Sequence, residues 1–94
     1  MKRITLADKK WGKNERQLLE AAFNEKGDLV FEGVNSGDSV KERYDDFDFE
    51  YWYTIKAKYI EKIVLQLLKD RFDNISDIMK WLEEKEIPFE SISF

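Results

Sequence analysis

The chain is 94 residues long, 43% hydrophobic and 38% charged, with a formal net charge of −4. It has neither cysteine nor histidine, which removes disulfides, thiolate zinc sites, the commonest general base and the commonest nitrogen ligand. No apolar run approaches the ~18 residues of a membrane span, and no apolar segment follows Met1-Lys2-Arg3 as a secretory leader requires, so one cytoplasmic domain over 1–94 with no membrane contact is expected.

The charge is uneven along the chain. Residues 1–16 carry Lys2, Arg3, Lys9, Lys10, Lys13 and Arg16 against Asp8 and Glu15, a balance of +4, and the remainder carries −8. An acidic body repels nucleic acid and attracts basic partners. Residues 1–15 read as a basic, mobile N-terminal segment, with a short strand at Ile4-Thr5-Leu6 and a polar loop over 9–15 that holds Trp11.

Residues 16–24 support two readings. Leu18, Leu19, Ala22 and Phe23 fall at helical spacing, and Asn14 with Gln17 offers a capping pair. Against this, Glu25-Lys26-Gly27 makes a short hairpin loop in which Gly27 takes positive φ, and the β-rich Leu29-Val30-Phe31 needs a partner strand. The partner requirement favours a hairpin of 16–24 with 28–34. Both strands are apolar on both faces, which places them centrally in a sheet or under a covering layer. Asn35-Ser36-Gly37-Asp38 is a turn cluster, and Ser39-Val40-Lys41-Glu42 has the form of a capping box opening a short helical turn.

In the stretch YDDFDFEYWYTIK, Phe47, Phe49, Tyr51, Tyr53 and Ile55 share one parity, while Asp46, Asp48, Glu50, Trp52, Thr54 and Lys56 share the other. Period two predicts a half-buried strand whose rings form one core face, with Trp52 left on the polar side among carboxylates. A helix follows over 57–70 with Ile60, Ile63, Val64, Leu67 and Leu68 as its stripe and Leu65 outside it. A second helix spans 76–86, capped by Asn74 or Ser76, with Trp81 off its apolar face and Pro88 as its stop, before an edge strand over 89–94. The expected fold is α+β: a mostly antiparallel sheet with two helices packed on one face, in the order β-β-β-(short helical turn)-β-α-α-β.

The residues offer little chemistry. Asp46, Asp48 and Glu50 have the spacing that begins a calcium loop, but Tyr51 stands where glycine is needed and Ala57 where a bidentate acid is needed. Alternate strand residues also lie roughly 6.6–6.8 Å apart, too far to wrap one ion unaided. The segment from Gly33 to Ser39 lacks the lysine of a phosphate cradle and carries Asp38 at the helix start. Acid pairs for glycoside chemistry are present without a cleft to hold a sugar. The expectation is therefore no enzyme, no metal and no cofactor. What remains is Trp52, Leu65 and Trp81 standing where the pattern calls for polar residues, with Asp48 and Glu50 beside Trp52. Tryptophan is enriched in interface hot spots, so these five residues are the expected protein-binding site, for a protein partner or a second copy in a homodimer. The alternative is a nucleic-acid-binding module using the basic N-terminal segment and Trp11, against which the acidic body weighs.

The motifs GDLVFEG (27–33), DFEYWYTI (48–55), LLKDRF (67–72) and WLEEKEIPFE (81–90) together resemble a set of small bacterial proteins of unknown function that share a hairpin, a Tyr/Glu-rich strand, a helix pair and an Ile-Pro-aromatic-Glu ending. The resemblance covers about residues 16–94 and supports the strand reading of 16–24. Such proteins are similar in size and charge to immunity proteins, which block a toxin by binding it. The resemblance implies an immunity-like or inhibitory binding role and carries over no catalytic residue.

Overall fold

A computed structural model describes residues 2–44 and 48–93. Asp46, Phe47 and Phe94 of the expected strands lie outside the described residues. The chain forms two compact units, 1–60 and 61–94. The first holds β1 (Arg3–Trp11), β2 (Glu15–Phe23), β3 (Leu29–Ser36), α1 (Asp38–Tyr44), β4 (Asp48–Ile55) and a 3-10 turn (Ala57–Tyr59). Helix α2 (Ile60–Arg71) opens at the boundary and runs into the second unit, followed by α3 (Ile75–Glu84). The class is α+β, and the four strands form one antiparallel sheet in the order β1-β2-β3-β4.

The hairpin over 16–24 and 28–34 is β2 paired with β3, with Leu18 opposite Val34 and Ala22 opposite Val30. Its two-sided apolar character follows from position. β2 lies between β1 and β3, and Ala21 and Ala22, on opposite faces, are both buried. Gly27 has φ 82° in the connecting loop. There Asn24 Oδ1 accepts from the backbone N–H of Lys26 at 3.0 Å and of Asp28 at 2.9 Å. The buried Asp28 carboxylate accepts the Ala57 N–H at 2.8 Å, tying this loop to the end of β4. That bond, helped by Asn24 and Lys56, holds the Asp28 carboxyl below its ordinary value. A depressed folded pKa adds stability that is complete above the usual carboxylate range, about pH 4–5, and is lost as pH falls through the folded value. Asp28→Asn should therefore melt lower than wild type at neutral pH, with the gap closing toward about pH 2. A gap that stays constant in thermal melts across that range would show that the ionised form is not what matters.

The short strand expected at Ile4-Thr5-Leu6 is present but longer: residues 3–11 form a nine-residue strand paired along β2 from Arg3↔Ala22 to Trp11↔Glu15, in place of the expected mobile segment and the loop from Lys9. A register shift between Thr5 and Ala7 changes the phase of the alternation. Ile4, Ala7, Lys9 and Trp11 share a face only once that bulge is known, so a strict period of two does not carry the strand on to Trp11. The β1–β2 turn uses Gly12 at φ 62°.

The start of α1 also differs. The helix begins at Asp38, and Ser39 does not close a box with Glu42. Instead the Ser39 N–H and hydroxyl donate to the two carboxylate oxygens of Glu15 at 2.9 and 2.7 Å, and Asn14 Nδ2 donates to Asp38 Oδ1 at 3.1 Å. The β1–β2 turn thus supplies the acceptors for the helix start, and α1 buries Val40.

Strand β4 has the predicted parity. Phe49, Tyr51 and Tyr53 stand in a row on one face, with ring centroids 5.9 and 5.8 Å apart. Register places Leu19, Ala21, Leu29, Phe31 and Gly33 on that same face.

In the second unit α3 is capped by Asn74, whose Oδ1 accepts the Asp77 N–H at 2.9 Å. Pro88 is not its stop. The helix ends in a Schellman turn: Glu86 sits at φ 57°, its N–H bonds the Glu83 carbonyl, and the Ile87 N–H bonds the Leu82 carbonyl. Glycine adopts this conformation without a Cβ penalty, so Glu86→Gly should stabilise α3 by about 0.5–1 kcal/mol, read as a higher midpoint in thermal or urea unfolding. The edge strand expected over 89–94 is absent among the described residues, where 85–93 form no strand. A proline that ends helical periodicity permits an extended segment, but a strand also needs a ladder partner.

Candidate protein-binding face

The second face of the sheet carries the even-numbered residues of β2, β3 and β4. Glu20, Glu32 and Trp52 lie directly opposite one another, and Thr5 of β1 lies opposite Glu20. Two glutamates facing each other across a strand pair repel. Arg3 offsets this, donating from Nη1 to Glu32 Oε2 at 2.6 Å and to Glu20 Oε1 at 3.3 Å. The Trp52 indole Nε1–H donates to the remaining Glu32 oxygen at 2.7 Å. These two hydrogen bonds, from Arg3 foremost and then Trp52, hold the Glu32 carboxyl below its ordinary value, and the bond to Glu32, with the charges of Glu32 and Glu20, raises the Arg3 guanidinium. A polar row thus crosses all four strands and ends at an indole that is 57% exposed yet fixed by its N–H.

Asp48 and Glu50 lie on this face opposite Ser36 and Val34. Both are exposed, and their side chains make no hydrogen bond or ion pair among the described residues. The structure therefore brings together three of the five expected site residues, Trp52, Asp48 and Glu50. Leu65 and Trp81 belong to the helical unit. Leu65 is 57% exposed on α2, whereas Trp81 is half-buried, packed edge-on against Phe72 with centroids 6.1 Å apart. Trp81 also lines an apolar groove of about 600 Å³ with Val64, Leu67, Leu68 and Phe72.

Arg3, Glu20 and Glu32 were not foreseen as part of this surface. The hairpin register places Glu32 opposite Glu20 and the β3–β4 register places it beside Trp52, but no local signal places Arg3 there, because its strand changes phase. Among the described residues no group of three acidic side chains could hold a metal ion.

A basic region lies at the opposite end of β1. Trp11, 52% exposed, borders a cavity of about 280 Å³ with Arg16, Asn35, Ser39 and Arg43, and another of about 360 Å³ with Lys10 and Lys13. Arg16 is held by Asp8 through two contacts of 3.2 and 3.3 Å, and Asn35 Oδ1 is buried without a partner among the described residues.

The fold and this face define a small α+β protein whose polar features lie on a sheet surface. No family model, curated protein or solved structure matches the chain. Among the described residues no helix is long and apolar enough to cross a membrane.

Proposed function

We propose that the chain is a non-enzymatic protein-binding module, immunity-like or inhibitory, as its resemblance in size and charge to immunity proteins implies, acting from the cytoplasm. The observation that supports this most directly is Trp52: largely exposed, yet pinned by the hydrogen bond to Glu32. An aromatic anchor already held in place loses less conformational freedom on binding than a mobile one. The unpaired Asp48 and Glu50 beside it favour a partner with basic side chains.

The test is selection of ligands from a displayed peptide library, followed by titration of the selected peptides. Wild type should prefer sequences with lysine or arginine flanking an apolar residue. Trp52→Ala should bind them with a loss of at least ~2 kcal/mol, roughly a 30-fold weakening, with an unchanged melting curve. Trp52→Phe, which keeps a ring and loses the N–H, should fall between the two. Peptides that bind wild type and Trp52→Ala equally would remove Trp52 from the site.

The basic region around Trp11 supports a second reading, nucleic-acid binding, in which Lys10, Lys13 and Arg43 meet phosphates and Trp11 stacks on a base. A single-stranded oligonucleotide should then bind with an affinity that falls steeply with salt and is lost in Trp11→Ala. Binding weaker than millimolar at low salt would dismiss it.

A further inference from the structure

The two edges of the sheet are protected unequally. β1 carries a bulge between Thr5 and Ala7 and the charged side chains Arg3, Asp8, Lys9 and Lys10, the usual means of discouraging a further strand. β4 pairs with β3 from Ile55 to Asp48 without a shift, contains no proline, and has no fifth strand beside it among the described residues. Its charges, Asp48 and Glu50, lie toward one end. Trp52 and Tyr53, on opposite faces, are 57% and 65% exposed.

We propose that the outer edge of β4 pairs with β4 of a second copy, antiparallel about a two-fold axis passing between the two Trp52 residues. This rests on Trp52 lying in an interface and goes beyond that reading by naming the occupant. The sequence of β4 is self-complementary in this register. A two-fold axis perpendicular to the sheet joins like face to like face, so only registers that pair residues of equal parity are allowed. With Trp52 opposite Trp52, Glu50 faces Thr54, Tyr51 faces Tyr53, Phe49 faces Ile55, and Asp48 faces Lys56. Each of these pairs occurs twice, apart from the central one. Lys56 continues the extended backbone, at φ −63° and ψ 145°, and its side chain, whose Nζ lies 3.8 Å from Asp28 Oδ2, is 65% exposed and so accessible to a second carboxylate. This register uses the whole run 48–56. Moving the axis to Tyr51 leaves both acids without an opposite charge, and moving it to Tyr53 leaves Asp48 outside the paired run. The chosen register therefore combines full length, paired charges and cross-strand aromatics. Pairing β4 with β1 of the next copy would also match acid with base, but that contact is head-to-tail, does not close, and meets the β1 bulge. The resulting eight-stranded sheet carries two Trp52 side chains at its centre, flanked by the Asp48 and Glu50 of each copy.

Sedimentation of the full chain at roughly 100 µM should show a monomer–dimer equilibrium. Asp48→Lys, at an exposed position, should weaken it at least ten-fold, with a melting curve unchanged at concentrations where the wild type is itself monomeric. Because the chain has no cysteine, the double variant Glu50→Cys/Thr54→Cys reports the register. Directly opposed antiparallel residues lie within disulfide range, so mild oxidation should yield a covalent dimer, and neither single variant should. A wild type that stays monomeric, a ladder of species growing with concentration, or single variants that cross-link as readily as the double would each overturn the proposal. A monomer whose selected peptides still depend on Trp52 overturns the dimer alone. A dimer that selects no peptide supports the pairing and overturns the partner reading alone.

Discussion

Gly37→Ala is expected to be the most damaging single substitution in the first unit. Gly37 is buried between β3 and α1 at φ 122°, a conformation that residues with a Cβ rarely adopt. A methyl group built there meets the Asn14 carbonyl oxygen at 2.7 Å and the Glu15 carboxylate at 2.6 Å. The strain of the dihedral and the overlap add, for a cost of about 2–5 kcal/mol. That is a large part of the ~5–15 kcal/mol by which domains are stable. The melting temperature should fall by about 10–30 °C. The same residues bring Glu15 to the Ser39 N–H, so the start of α1 should loosen as well, read as faster amide exchange at Ser39 and Val40. Removing the Glu15 side chain should not rescue Gly37→Ala, because the closest backbone atom is the Asn14 carbonyl. A fall of less than about 5 °C would show that the turn relaxes around the new methyl.

Gly33→Val is the second. By strand propensity alone valine should improve β3. Gly33, however, is buried directly opposite Tyr51, and a Cβ on it would overlap the Tyr51 ring. The ring covers the glycine as aromatic residues cover sheet glycines elsewhere. Valine must displace it, disturbing the row from Phe49 to Tyr53, and overpacking of this kind costs about 1–3 kcal/mol. Tyr51→Ala in the same chain should recover part of the loss, so the two substitutions should be non-additive in a double-mutant cycle. Strict additivity, or a stabilised Gly33→Val, would show that the ring is not what holds position 33 to glycine.

Gly33→Val bears on the candidate site as well as the fold. Gly33 lies between Glu32 and Val34, so a shifted β3 backbone moves the carboxylate that holds the Trp52 indole. Peptide binding through Trp52 should therefore weaken in Gly33→Val even at temperatures where the protein remains folded.

The features legible in the sequence are those that depend on neighbours along the chain. The alternation in β4 assigned Phe49, Tyr51 and Tyr53 to one face and Trp52, Asp48 and Glu50 to the other, because side chains of a strand alternate whatever lies beside it. Gly27 marked the β2–β3 loop through its backbone freedom, and Asn74 marked the start of α3 because an N-cap satisfies donors only a few residues away. What only the tertiary structure decided depends on register and on distant partners. The Arg3–Glu32 and Trp52–Glu32 bonds join residues 29 and 20 positions apart, and a one-residue slip in either pairing removes them. Of β1 only Ile4-Thr5-Leu6 was legible as a strand, because the bulge between Thr5 and Ala7 breaks the period by which the rest would be recognised. The start of α1 was misread because its acceptor, Glu15, is 24 positions away rather than three. The expected final strand shows the same limit from the other side: Pro88 permits an extended segment after it, but a strand requires a pairing neighbour that the local sequence cannot supply.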